Sequence, residues 1–184
     1  MKSLTMKKKT NLKWLIKIVL ISVVVTMLFT LASTEILGRA GFVVAFAILA
    51  VFIVLGIIFD MIGVSVTAAI EAPFHSMASH RERGAAQALL LIRNADKVSS
   101  FCNDVVGDVS GIVSGATAAL LAARLVQGLK TESIIVPLLV SGAVTGLTIG
   151  GKAAGKAFAI NRSTSIVLKV GKLMTALHIG KSSK

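Results

Sequence analysis

Four apolar segments, each long enough to cross a lipid bilayer, constrain this chain more than any other feature. They lie near residues 14–34, 42–72, 98–126 and 133–160. A transmembrane helix needs about 20 apolar residues, and inside the bilayer every backbone polar group must be hydrogen-bonded within the protein. The pattern therefore predicts an all-α, multi-pass membrane helix bundle with about four transmembrane helices. The second segment is longer than a plain crossing, so we expect a tilt or break near residues 60–65.

The composition narrows the classes of function. The 184 residues are 55% hydrophobic and include one cysteine and three histidines, so an internal disulfide is excluded and no zinc-binding spacing occurs. Ser76 and Ser79 lie near His75 and His80. A hydrolytic triad also needs an acid that orients the histidine and a site for the oxyanion. We therefore expect that the protein is not an enzyme.

The net charge of +12 indicates the kind of partner and the orientation. The basic residues collect beside the apolar segments, which is typical of juxtamembrane anchors. We therefore expect anionic lipid headgroups as partners and no nucleic acid. The N-terminal tail, the 73–97 connection and the chain after residue 160 carry fourteen lysines and arginines, against three in the other two connections. This asymmetry predicts a cell-membrane protein with both termini in the cytoplasm.

The chain divides into three parts along this pattern. Residues 1–40 join a basic tail to the first apolar segment, whose length exceeds the roughly 7–15 apolar residues of a cleaved signal peptide. We interpret it as an extra transmembrane signal anchor. Residues 41–175 form the main membrane domain, and residues 176–184 form a basic cytoplasmic tail. Within the domain, residues 76–97 and 163–181 are amphipathic, which predicts two interfacial helices on the inner leaflet.

Three of the apolar segments carry polar stripes at helical spacing. Residues three and four positions apart share a helix face, and ionisable residues in a membrane are expected to face the bundle interior. The four carboxylates and two ammonium groups of the stripes sum to minus two, which one divalent cation would balance. The stripes are Gly56, Asp60, Gly63, Thr67 and Glu71, then Ser100, Asp104, Asp108, Gly111 and Gly115, then Ser141, Thr145, Thr148, Lys152 and Lys156.

Glycines recur every four residues on the last two segments. They are Gly107, Gly111 and Gly115, followed by Gly142, Gly146 and Gly150. Such repeats let helix backbones approach closely. They predict a close helix pair or a homodimer interface, and they carry no information about transport.

Four short motifs in order carry a family resemblance. They are Gly63-Val-Ser-Val-Thr-Ala68, then Asn94-Ala-Asp-Lys-Val-Ser-Ser100 after a basic juxtamembrane stretch, then Val106-Gly-Asp108, then Gly151-Lys-Ala-Ala-Gly-Lys-Ala-Phe-Ala-Ile-Asn-Arg162. From about residue 43 to 175, the chain resembles the transmembrane domain of the CorB/CorC and cyclin-M family of magnesium and cobalt transporters. The resemblance implies an ion-conducting domain, usually dimeric, whose Mg²⁺ is held by polar residues of three helices.

This resemblance leaves two functions open. In the first, Ser65, Thr67, Asp104 and Asp108 supply oxygen ligands for Mg²⁺, Co²⁺ or another divalent cation, and charged side chains nearby modulate the site. Those side chains are Lys152, Lys156, Asp60 and Glu71. In the second, Lys152, which stands where the family has a glutamate, pairs with Asp108 or Asp104, and the chain is a non-transporting membrane scaffold or accessory subunit. The family's CBS domains have no counterpart here, so a separate CBS-domain protein is a candidate partner.

Overall fold

The computed structural model describes residues 12–39, 41–130 and 133–177, which form helices and short connections without any strand. The expected all-α membrane bundle is confirmed. Most of the expected basic N-terminal tail and of the basic tail expected at residues 176–184 lies outside the described residues. The helices are α1 (Leu12–Arg39), α2 (Phe42–Ala68), α3 (Glu71–Ser79), α4 (Ala85–Arg93), α5 (Ala95–Ser100), a π-helix (Phe101–Gly107), α6 (Asp108–Gly128), α7 (Ile135–Asn161) and α8 (Ser163–Ala176).

Four helical segments are long and apolar enough to cross a membrane, as expected from the sequence. They are Trp14–Gly38, Phe42–Ala68, Ala95–Gly128 and Ile135–Asn161. The third segment joins α5, the π-helix and α6 end to end, and it is the most buried of the four. Helices α1, α2 and α7 all pack against it. This third segment, Ala95–Gly128, is called the third span below, and it is the central element of the bundle.

The contacts between spans fix their relative directions. Gly56 of α2 lies against Ser110, and Gly63, further along α2, lies against Asn103, so α2 and the third span are antiparallel. Gly151 of α7 lies against Ile57 of α2, and Gly155 lies against Met61 of the same helix. Helices α2 and α7 are therefore parallel. The end of α2, the start of the third span and the end of α7 consequently meet at one end of the bundle.

Two apolar clusters hold the two ends of the bundle. At one end, α1, α2 and α6 contribute Leu37, Ala45, Leu49, Ala118 and Leu121. At the other end, the short helices pack beneath the last turn of α2, through Val66, Phe74, Ala88, Leu91 and Val167. Helices α3, α4 and α8 therefore form a layer at the end where the polar residues of α2 and α7 lie. Helices α4 and α8 of this layer fall within the two stretches that the sequence predicts as interfacial amphipathic helices.

Two boundaries differ from the sequence-based expectation. The stretch 76–97 is not one helix, because α3 ends at Ser79 and Gly84 adopts a left-handed φ of 86° before α4 begins. Helix α2 does not break at 60–65 but continues to Ala68. Pro73 lies in the first turn of α3, where its missing N–H has no helical acceptor and costs little.

Candidate polar site between the membrane spans

One face of α2 brings a carboxylate into the centre of the bundle. Gly56, Asp60 and Gly63 are all buried on this face. The two glycines let the third span approach, because a Cβ at Gly56 would lie 3.2 Å from the Ser110 Cβ, and one at Gly63 would overlap the Asn103 amide. Asp60, between these two contacts, is only 5% exposed. The close approach of two helices therefore encloses an ionisable group at membrane depth.

The third span is locally a π-helix where it passes this face. Residues Phe101–Gly107 form the π-helix, and α-helix resumes at Asp108. Short π-helical segments inside α-helices occur frequently at functional sites. Here the segment carries Asn103 toward Gly63 and ends at Gly107, whose carbonyl oxygen accepts a bond from the Lys152 Nζ at 3.5 Å. An ammonium group from α7 thus meets the end of the π-helix.

A second lysine of α7 pairs with the buried aspartate. The Lys156 Nζ lies 3.7 Å from the Asp60 Oδ2. The carboxylate side chain is 7% exposed and the lysine side chain 52% exposed, so the pair extends from the bundle interior to its surface. The distance exceeds that of a hydrogen bond, and Asp60 Oδ2 has no hydrogen-bond partner among the described residues. Lys156 therefore compensates the negative charge of Asp60 without a short contact between the two groups.

A second buried oxygen lacks a hydrogen bond. Asn103 Oδ1 has no partner in the described part of the chain, and it is the atom that faces Gly63. Buried polar atoms are normally satisfied, so each exception indicates strain, function or a missing ligand. Two such atoms, Asp60 Oδ2 and Asn103 Oδ1, come from facing helices within a short length of the bundle. This polar centre, defined as Asp60, Asn103, Gly107, Lys152 and Lys156, is the candidate site.

The structure places the four predicted metal ligands in different surroundings. Ser65 is buried and donates to the Ala159 carbonyl oxygen at 3.4 Å, whereas Thr67 is exposed and donates to its own helix at Val64. Asp104 and Asp108 are exposed on the outside of the third span. Among the described residues, no group of three or more histidine, cysteine or acidic side chains could hold a metal ion.

The four predicted modulating residues separate into three places. Asp60 and Lys156 pair, as described above. Lys152 contacts the Gly107 carbonyl, and no ion pair between described residues joins it to Asp104 or Asp108. Glu71 belongs to the end layer, where His75 Nε2 lies 3.2 Å and Arg93 Nε 3.6 Å from its Oε2. Glu71 thus takes no part in the polar centre.

Asn103 is not among the residues predicted from the sequence, although the sequence contains a signal for it. The third span has a second polar stripe, one residue from the predicted stripe, consisting of Asn103, Gly107, Ser110, Ser114 and Thr117. These residues follow steps of four, three, four and three, and the last three are at most 5% exposed. This stripe faces the bundle interior, and the stripe with the two aspartates faces outward.

The charges present decide what the polar centre can bind. Asp60 contributes one negative charge, whereas Lys152 and Lys156 contribute two positive charges. Oxygen donors suited to Mg²⁺ are present at Asp60, Asn103 and Gly107, but with both lysines charged the set does not fit a divalent cation.

Comparison with known proteins gives no relative: no protein-family model matches the chain, and neither a curated protein nor a solved structure matches it.

Proposed function

We propose that this protein is a multi-pass membrane scaffold or accessory subunit whose polar centre is neutralised by its own lysines. The observation that carries the proposal is the pairing of buried Asp60 with Lys156, beside a second ammonium at the Gly107 carbonyl. An intramembrane carboxylate requires a counter-charge. Here Lys156 of the same chain supplies the counter-charge. The bundle therefore needs no bound ion to neutralise Asp60.

Electrostatic repulsion supports this assignment over an open cation pathway. Two like unit charges about 4 Å apart repel by about 4 kcal/mol at an effective dielectric constant of 20. A divalent ion at Asp60 would meet roughly twice that repulsion from Lys156 alone. Mg²⁺ also demands six oxygen ligands in near-octahedral geometry, of which Asp60, Asn103 and Gly107 supply at most three, so water would have to supply the rest. A cation would have to displace the ammonium group before it could bind.

The scaffold is oriented with both termini in the cytoplasm. The end layer of α3, α4 and α8 then lies at the inner leaflet, where its arginines and lysines meet anionic headgroups. A separate CBS-domain protein, implied by the resemblance to the CorB/CorC and cyclin-M family, would dock on this cytoplasmic layer. The bundle would contribute the membrane anchor for that partner.

The second candidate function is transport of Mg²⁺, Co²⁺ or another divalent cation, and one specific observation favours it. Asp60 Oδ2 and Asn103 Oδ1 are buried beside a π-helix, and neither has a hydrogen-bond partner within the part of the chain that the structure describes. In this alternative the half-exposed Lys156 side chain swings outward, and the ion takes its place between the two oxygens. The resemblance to the magnesium transporters supports the same reading.

Thermal unfolding of the purified protein with and without Mg²⁺ separates the two functions. A ligand at 100 times its Kd stabilises a protein by about 2.7 kcal/mol, which is readily measured. We expect no response from the wild type, and saturable protection by Mg²⁺ in Lys156→Gln. Protection should disappear when Asp60→Asn is added. Lys169→Gln, at an exposed lysine of α8, is the matched control for loss of a positive charge.

The opposite result would establish the cation site. Saturable Mg²⁺ protection of the wild type, lost in Asp60→Asn, would contradict the scaffold assignment. Mg²⁺ flux into liposomes that contain the wild type would then be the decisive measurement. Ca²⁺ serves as the control ion in both assays, because it is larger and accepts looser coordination.

A further inference from the structure

A cavity of about 790 Å³ lies between α2 and α7 in the membrane-spanning part of the bundle. Residues 42–57 of α2 and 140–154 of α7 form its walls, and Leu121 and Leu125 of α6 complete the lining. Every described residue that lines it is apolar or a glycine. A buried water needs two to four polar partners, so water is not a suitable occupant. We call this cavity the apolar groove, and its occupant must be apolar.

The apolar groove closes at one end and is open along its side. A Cβ at Gly151 would overlap the Ile57 side chain, so α2 and α7 touch there. Further toward the start of α7, Gly146 and Gly150 line the groove, and no atom lies within 4 Å of the position that a Cβ would take at either. Phe46, on the opposite wall, is exposed. The groove therefore widens away from Ile57 and opens toward the surrounding lipid.

The dimensions of the apolar groove favour a hydrocarbon chain over a helix. Residues 42–57 span about 22 Å along α2, which is roughly half of this 27-residue helix. Since α2 crosses the whole bilayer, half of its length corresponds to the depth of one leaflet. The volume spread over this length gives a mean cross-section of about 36 Å². A helix with its side chains is at least about 10 Å across, or about 80 Å², so it could not enter the groove.

A positive charge lies at the open end of the apolar groove. Leu125 lines the groove, and the exposed Lys130 follows the end of the same helix. The two residues are about 8 Å apart along the helix axis, and the flexible four-carbon stem of lysine extends its reach. A cation beside an apolar interior complements the two parts of a phospholipid, whose phosphate is negative and whose chains are hydrocarbon.

We propose that the apolar groove binds one acyl chain of a phospholipid, from the leaflet at the Phe42 end, with the lipid phosphate beside Lys130. The methyl end of the chain lies near Ile57, where α2 and α7 meet. A chain in the groove makes van der Waals contacts with three helices, which a chain on an open surface does not. The polar centre takes no part in this binding, so the proposal stands or fails independently of the scaffold function.

Mass spectrometry of the intact protein tests the occupant. The protein is reconstituted in vesicles of palmitoyl-oleoyl phosphatidylcholine, extracted into detergent micelles and washed. We expect the wild type to retain a single phospholipid, and Gly146→Phe, which fills the groove, to retain at least about tenfold less. Gly142→Phe is the matched control, because this position is equally open and does not line the groove. It should retain the lipid as the wild type does.

Each other outcome of this experiment would overturn the proposal. They are a wild type without lipid, equal retention in Gly146→Phe, and a retained apolar molecule that carries no phosphate. A dimer or a complex with another protein that Gly146→Phe disrupts would show that a protein occupies the groove. If Gly146→Phe does not fold, Gly150→Leu repeats the test at a second open position of the same wall.

Photo-crosslinking in the bilayer tests the position of the chain. Vesicles contain a phosphatidylcholine with a diazirine near the end of one acyl chain. We expect adducts at Ile57 in the wild type and their loss in Gly146→Phe. Adducts at Val51, which is exposed on α2 outside the groove, report bulk lipid and should not change. Labelling of Ile57 that does not respond to Gly146→Phe would contradict an acyl chain in the groove.

The contact with the phosphate has its own test. Lys130→Gln should lower phospholipid retention in the same washing experiment. Lys169→Gln, at an exposed lysine of α8 at the other end of the bundle, is the control for loss of a positive charge and should leave retention unchanged. Equal retention in the two variants would overturn the contact between Lys130 and the phosphate.

Discussion

At the scale of single residues, the pair of Asp60 and Lys156 makes the sharpest prediction. Lys156→Met leaves a buried carboxylate without its counter-charge. Losing one partner of a buried polar interaction costs about 1–3 kcal/mol, and this range is appropriate because Lys156 is half exposed. We expect that loss in the free energy of unfolding, measured by denaturant titration in detergent micelles.

A double-mutant cycle isolates the interaction between the two side chains. Adding Asp60→Asn to Lys156→Met removes the unpaired charge, so most of the lost stability should return. Lys169→Met, at an exposed lysine of α8, should change stability by at most about 0.5 kcal/mol. Strictly additive losses at Asp60 and Lys156 would show that the pair contributes nothing.

Gly63 makes a second prediction at this scale. A Cβ at this position would overlap the Asn103 amide, so Gly63→Ala forces the two helices apart or the amide to turn. Overpacking of this kind costs about 1–3 kcal/mol. Gly115→Ala, where no atom lies within 4 Å, should be neutral or stabilising because alanine favours the helix. Asn103→Ala should rescue Gly63→Ala, and absence of rescue in unfolding experiments would contradict the proposed overlap.

The residues of the polar centre were only partly predictable from the sequence. Asp60 and Lys156 were identified because an ionisable group in an apolar helix needs a partner. Asn103 was missed because the third span has two polar stripes one residue apart, and the charged stripe was expected to face inward. Helical spacing alone cannot choose between adjacent stripes, and a π-helix further shifts the faces on either side of it.

At the scale of helices, docking of α8 depends on one turn. Gly84 has a φ of 86°, and a Cβ there would lie 2.5 Å from the Lys172 backbone nitrogen. Gly84→Ala therefore combines backbone strain of about 1–2 kcal/mol with a clash against α8. We expect α8 to detach, seen as faster trypsin cleavage after Lys169. Gly128→Ala, at an open position, should leave cleavage unchanged, and equal cleavage in the two variants would show that Gly84 does not control docking.

The existence of the helices was easier to predict than their ends. The four spans follow from long apolar runs, and their number and order agree with the structure. The stretch 76–97 was expected as one helix because its apolar residues repeat at helical spacing. That spacing does not show that Gly84 must bend the chain toward α8, because this bend depends on contact with residues almost ninety positions away.

At the scale of the whole molecule, the fold gathers the polar features at one end. The end of α2, the π-helix, the lysines of α7 and the layer of short helices all lie there. The opposite end is held by an apolar cluster of α1, α2 and α6. The sequence could predict this asymmetry from its basic residues, but the packing of α3, α4 and α8 beneath α2 required the structure.

This asymmetry predicts which end faces the cytoplasm. Fourteen lysines and arginines belong to the tails and the 73–97 connection, against three in the other two connections. The positive-inside rule therefore predicts that the layer of short helices faces the cytoplasm. Single cysteines in a Cys102→Ser background can report this with a maleimide that does not cross membranes. His80→Cys, in the exposed turn after α3, should react only after the cells are lysed, whereas Gly128→Cys, at the opposite end, should react in intact cells. Labelling of His80→Cys in intact cells would reverse the orientation. It would also remove the proposed contact of the basic layer with the anionic inner leaflet.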